Sequence, residues 1–159
     1  MITNNNFKIQ LEDIETQEDV LNASYERLMA QGRSCVDSRD QCVYYRKDSL
    51  SPQGRQGCAI GIILTREQAK KWHEEGSFYM TAGGAIDGLK GDGEGDNKVN
   101  LDGFKPPWVC EENKEFLNDL QLAHDTTNQH NSTEGWRNEL TSEFNQLAEK
   151  YSLILEVSL

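Results

Sequence analysis

Hydrophobic positions along the chain gather into a few short stretches, and the spacing inside each stretch predicts its element. Val20, Leu21, Ser24, Leu28 and Met29 trace one face at helical spacing. Thr16-Gln17-Glu18-Asp19 ahead of them has the form of an N-cap with an acidic first turn, and Gly32 behind them supplies a stop. An amphipathic helix over about Gln17 to Gln31 is therefore expected. Before it, residues 1–15 form an N-terminal arm whose apolar positions are Phe7, Ile9, Leu11 and Ile14. The alternation of the first three fits either a short strand or an extended segment laid on the core.

Cys42-Val43-Tyr44-Tyr45-Arg46 reads as a short strand by its β-branched and aromatic content, and Ser49 to Gly57 as a turn-rich connection. The run Cys58 to Leu64 is continuously apolar, so periodicity leaves buried strand and buried helix both open. Ile60, Ile62, Ile63 and Leu64 are its packing residues, whereas Gln56, Gly57 and Cys58 lie where a turn enters the core. Thr65-Arg66-Glu67-Gln68 is a capping-box pattern opening a helix anchored by Trp72 and ended by Gly76.

Between Gly76 and Cys110 the chain turns to glycine, aspartate and asparagine, and residues 83–107 are expected to form a long irregular loop. Two helices follow. One runs from Glu111 to about Thr126 with Phe116, Leu117, Leu120, Ala123 and His124 on one face; the other is capped by Ser132 or Thr133 and carries Trp136, Leu140, Phe144, Leu147 and Tyr151. In the tail from Ser152 to Leu159, Leu153, Leu155, Val157 and Leu159 alternate as in a half-buried strand.

These elements predict a mainly helical α+β fold with a Gly/Asp-rich insertion and a small antiparallel sheet, drawing on Cys42–Arg46 and the tail. The 159 residues suit a single domain. Charge then narrows the partners. Asp and Glu total 27 against 16 Lys and Arg, a formal charge of -11, which repels nucleic acid and anionic membrane and favours a protein partner with a basic surface. No apolar run approaches the roughly 18 to 20 residues needed to cross a bilayer. Met1-Ile-Thr-Asn-Asn-Asn lacks the basic-then-apolar pattern of a secretory leader, so a cytoplasmic setting with reduced cysteines is expected.

Candidate chemistry centres on Cys58 and His124. If the apolar run were helical, Cys58 would sit at a helix N-terminus, where free amides favour a thiolate, and His124 (or His73) would serve as its base. The competing reading is a thiol packed beside Ala59 and Ile60. His124-Asp125 has the form of a metal-phosphohydrolase pair. That chemistry also needs a downstream Asp, and none follows Asp125; the other reading is a histidine at the edge of the core.

Cys35, Cys42, Cys58 and His124 lack the tight spacing of a structural zinc site, so no metal is expected. Asp92, Glu94 and Asp96 fall at positions 1, 3 and 5 of a calcium-loop register, but Asn97 stands where its glycine belongs and Gly103 where its bidentate glutamate belongs. They read as a solvated acidic loop. The glycines from 83 to 95 lack a phosphate-loop spacing, and no cofactor is expected.

Several stretches together resemble a group of small, largely uncharacterised proteins of phages and bacteria. The matching residues are Cys42, Tyr45 and Arg46; Cys58, Ala59, Ile60 and Gly61; Leu120, Gln121, His124 and Asp125; then Trp136, Ala148 and Tyr151. Thr65-Arg66 replaces the Pro-Asp that commonly follows the apolar segment in that group. The resemblance implies an origin and singles out Cys58, His124 and Asp125 as a constellation. With the charge, it leads to the expectation of a phage-type accessory protein that binds a host protein, as a counter-defence factor or nucleic-acid mimic. Tyr45, Arg46, Gln56, Asp92, Glu94 and Asp96 are its candidate contact residues. The alternative is a cysteine-dependent hydrolase or transferase using Cys58 and His124.

Overall fold

The structure is a computed structural model that describes residues 7–35, 43–51, 53–75, 106–127 and 132–156. The fold is α+β and mainly helical, with a small antiparallel sheet. The described helices are α1 (Gln17–Gln31), α2 (Arg66–Glu75), α3 (Lys114–Asp125) and α4 (Thr133–Lys150). The sheet pairs β1 (Arg46–Lys47) with β2 (Arg55–Gln56), Arg46 opposite Gln56 and Lys47 opposite Arg55.

Local chemistry sets the helix ends. Thr16 Oγ1 accepts from the Asp19 amide at 3.1 Å, and Asp19 Oδ2 accepts in return from the Thr16 amide at 3.1 Å, closing a capping box. Gly32 ends α1 in the left-handed region, at a φ of 77°, which a side chain would strain. Thr65 and Gln68 repeat the box at α2, and Ser132 caps α4 through the Gly135 amide at 3.0 Å. α3 is preceded by a 3₁₀ turn over Glu111–Asn113, so the helix proper starts three residues after the expected Glu111.

α1, α3 and α4 pack around one core that also takes in the Cys58–Leu64 run. Tyr25 meets Phe144 at 5.7 Å between ring centres, and Phe116 meets Tyr151 edge-on at 5.1 Å. The run is neither strand nor α-helix: it is a turn followed by a 3₁₀ segment over Gly61–Ile63, and every residue from Cys58 to Leu64 is buried. Burying Ile60, Ile62, Ile63 and Leu64 contributes about 1.5 to 3 kcal/mol each.

The sheet differs in place from its expected position. β1 begins at Arg46, and Val43 links the Cys35 carbonyl at 3.2 Å and the Cys58 amide at 3.2 Å without belonging to a ladder. The tail is extended, with Leu153 and Leu155 half-buried, but residues 153–156 join no strand. Side chains of α1 take the part of a neighbouring strand instead. Asn22 Nδ2 donates to the Ile154 carbonyl at 2.8 Å, Asn22 Oδ1 accepts from the Glu156 amide at 2.7 Å, and Glu18 Oε1 accepts from the Ile154 amide at 2.8 Å. Residues 7–15 likewise form no strand; they run over the core with a 3₁₀ turn at Leu11–Asp13. The Gly/Asp-rich stretch lies outside the described residues as far as residue 105.

Candidate functional site

The turn that carries Cys58 is tied down by side chains from three directions. Ser24 Oγ donates to the Ala59 carbonyl at 2.8 Å, and the Gln31 amide pairs with Gly57 in both directions, at 2.9 and 3.1 Å. Arg55 closes the far side, donating to the carbonyls of Gly61 at 3.2 Å, Ile62 at 3.4 Å and Leu64 at 2.5 Å. The Cys58 thiol, 1% exposed, accepts from the Gly61 amide at 3.4 Å. Gly61 is pressed so closely on Tyr44 that a Cβ would stand 2.1 Å from its carbonyl oxygen. Nearby Cys35 is also buried; burial, with the neighbouring Cys58, pushes its thiol up to about 12 against the pull of Arg46 and Arg33.

His124 and Asp125 come together at the end of α3. His124 is 1% exposed, and its Nδ1 lies 3.1 Å from Asp125 Oδ1, which also accepts from Gln121 Nε2 at 3.0 Å. Gln121 and Asp125 are one helical turn apart, which accounts for the Gln121 contact, while the carboxylate also folds back to its chain neighbour His124. His124 Nε2 has no hydrogen-bond partner among the described residues. No hydrogen bond joins Cys58 to His124 among the described residues; each is bound into its own element.

Of the other candidates, Gln56 is buried and donates to Asp48 Oδ2 at 2.6 Å, which helps hold that carboxyl below its ordinary range. Tyr45 is half-buried under the ammonium of Lys70, 5.3 Å from the ring centre, and Arg46 is exposed on β1. Asp92, Glu94 and Asp96 lie outside the described residues, as does Cys42. Among the described residues no three His, Cys, Asp or Glu side chains gather as metal ligands would, and no helix is long and apolar enough to cross a membrane.

Two further features stand out. Gln17 Nε2 donates to Asn113 Oδ1 at 3.1 Å, which brings the first turn of α1 beside the 3₁₀ turn before α3. The first turn of α1 carries Glu18 and Asp19, exposed Glu15 lies just before it, and the 3₁₀ turn carries exposed Glu111 and Glu112, so acidic residues of the two segments are neighbours. The second feature is a cavity of about 230 Å³ between the N-terminal arm, α1 and the β2–α2 connection, walled by Phe7, Leu11, Glu12, Arg27, Arg55 and Arg66 among others.

Sequence reasoning missed those arginines because 27, 55 and 66 are far apart and share no motif. One signal was available: Arg27 sits four residues after Ala23 and three after Ser24, on the buried face of α1, where a cation needs a reason. No family model, no curated protein and no solved structure matches the chain.

Proposed function

We propose that this chain is a small accessory protein of the phage type that works by binding a host protein, its acidic end docking on a basic face that otherwise receives nucleic acid. The observation that carries the reading is the gathering of carboxylates where α1 and α3 begin, in a chain of formal charge -11. Helix dipoles account for part of it, since acids favour a first turn. Asp19 is consumed by its cap, and Glu18 by the tail. The side chains of Glu12, Asp13 and Glu15, however, make no hydrogen bond or ion pair of 4.0 Å or less among the described residues, and they are exposed. Unspent carboxylates of this kind give a fast, salt-sensitive approach to a cationic surface.

The same geometry weighs against the cysteine-enzyme alternative. A nucleophile needs an accessible thiol with a base in hydrogen-bond reach, and Cys58 is buried and hydrogen-bonded to backbone.

The test is capture of partners from bacterial host lysate at graded salt, comparing the native chain with a Glu12→Lys, Asp13→Lys, Glu15→Lys variant. A partner retained at low salt, released at high salt and lost in the variant is expected. Capture that ignores both salt and the charge reversal would count against the reading. Alkylation of Cys58 by iodoacetamide faster than that of a free peptide thiol would instead revive the enzyme.

A further inference from the structure

We propose that the cavity between the N-terminal arm, α1 and the β2–α2 connection binds a small oxyanion, a phosphate or carboxylate group gripped by the guanidiniums of Arg27, Arg55 and Arg66. The cavity and the acidic docking surface share Glu12, but the binding proposed here is carried by the arginines and not by the carboxylates. The chain has 27 acidic residues for 16 basic ones, yet three arginines converge on one cavity and none has a carboxylate within 4.0 Å among the described residues. Among the described residues of the lining Glu12 is the one acid, and it is exposed.

Two of the three cations are buried, Arg27 at 4% and Arg55 at 6% exposure, and their hydrogen bonds all go to neutral carbonyl oxygens. Arg27 donates to Ile9 at 2.8 Å and Ala23 at 3.2 Å, and lies 4.5 Å from the centre of the Phe7 ring. Arg55 holds the buried turn, as described. Arg66 is exposed and makes one long bond, 3.4 Å, to the Gln53 carbonyl. A guanidinium offers five N–H donors in a fork that matches two oxygens of one anion, and Arg66 spends one of them.

The electrostatics agree with the geometry. Burial, then Arg66 and Arg27, push Arg55 down to about 10, and burial pushes Arg27 down against the attraction of Glu26 and Glu12. The neighbouring guanidiniums therefore disfavour the cation at Arg55. An oxyanion between them reverses that repulsion and uses the unspent donors. Gln10, Gln53 and Thr65 supply further polar groups to the wall, while Phe7 and Leu11 supply an apolar one, so the bound group can carry a small organic body.

A structural role alone explains Arg55, which serves three carbonyls, and accounts in part for Arg27. It does not explain why Arg66 joins them. That makes Arg66 the informative residue, since its removal leaves the turn's hydrogen bonds intact.

The experiment is calorimetric titration of the full chain at constant ionic strength with inorganic phosphate, citrate and adenosine monophosphate, with chloride as the control anion. Saturable binding of at least one oxyanion is expected; phosphate and the nucleotide together point to a phosphate group, citrate to a carboxylate. Arg66→Gln should weaken binding about tenfold or more, as loss of a charge-assisted fork predicts, with an unchanged melting temperature in the absence of ligand. Glu12→Gln should tighten binding, because it removes the acid from the lining. The proposal fails if none of the three anions binds more tightly than about 10 mM, or if Arg66→Gln binds as well as the native chain.

Discussion

The turn around Cys58 and the end of α3 around His124 both bury polar groups, and they treat them in opposite ways. At the turn, side chains reach in to partner the backbone: Ser24 and Gln31 come from α1, Arg55 closes on three carbonyls, and Gly61 fits against Tyr44 with no space for a methyl group. At the end of α3, His124 keeps one nitrogen without a partner among the described residues, and its other nitrogen faces a carboxylate that is 36% exposed. Arginine cannot surrender its charge, so burying it obliges the fold to surround it with oxygens. Histidine can be neutral, and its burial obliges much less. The tied-down region is architecture; the other has slack.

The largest effect should come from removing the turn's lack of space. Gly61→Ala sets a methyl group 2.1 Å from the Tyr44 carbonyl oxygen, and backbone on both sides leaves no flexible side chain to yield. A loss of about 4 kcal/mol or more in urea unfolding is expected, among the severe values for one substitution. A cost under about 1 kcal/mol would show that the turn has slack after all.

Next comes Arg55→Leu, which strands the carbonyls of Ile62 and Leu64, while Gly61 keeps its bond from the Leu64 amide. Each buried acceptor left without a partner costs about 1 to 3 kcal/mol, offset in part by no longer burying a cation, so about 3 kcal/mol is expected. His124→Leu is the matched comparison. It removes one bond to Asp125 and one buried nitrogen without a partner, and should cost less than about 1 kcal/mol in the same assay. Equal losses for the two variants would erase the distinction between the regions.

What could be read from the sequence follows the same division. The bounds of α1 were legible because Thr16, Asp19 and Gly32 act on their immediate neighbours, and the α2 box was legible for the same reason. The conformation of Cys58–Leu64 was not, since Ser24 and Gln31 arrive from more than 25 positions away in the chain. The tail's alternation correctly marked Leu153 and Leu155 as the inward side, but the partner of its backbone is a set of α1 side chains, which no periodicity reveals. At the candidate site, the place of His124 on the apolar face of α3 was legible from its spacing, whereas its contact with Asp125 was not, since consecutive helix positions point in different directions. The convergence of Arg27, Arg55 and Arg66 depends on folding three distant segments together, and only the buried position of Arg27 hinted at it.

Thiol chemistry sharpens the comparison on a smaller scale. Cys58 and Cys35 are buried, whereas Cys110 is half-buried. Iodoacetamide at neutral pH, with the sites resolved by mass spectrometry, should modify Cys110 at least about tenfold faster than either buried thiol. Rapid modification of Cys58 would mean that the turn opens often, against the hydrogen bonds that tie it down.

The smallest effect is a pH dependence contributed by Cys35, which is buried near the turn. Cys35 is raised from an ordinary value of 9.0 to about 12 by burial, so an unfolded chain releases this proton more readily than the folded one. Stability from this group is therefore fully present below pH 9.0 and is lost as pH rises toward about 12. Linkage puts the loss at about 1 kcal/mol by a pH near 9.5. Lysines and tyrosines titrate over the same alkaline range, so the readout is a difference between the native chain and Cys35→Ala, each unfolded in urea at pH 8 and at pH 9.5. The variant should be less stable at pH 8, because it leaves a cavity, and should lose less on going to pH 9.5. Parallel losses in the two proteins would mean that water reaches Cys35 and that the packing around the turn is looser than its hydrogen bonds imply.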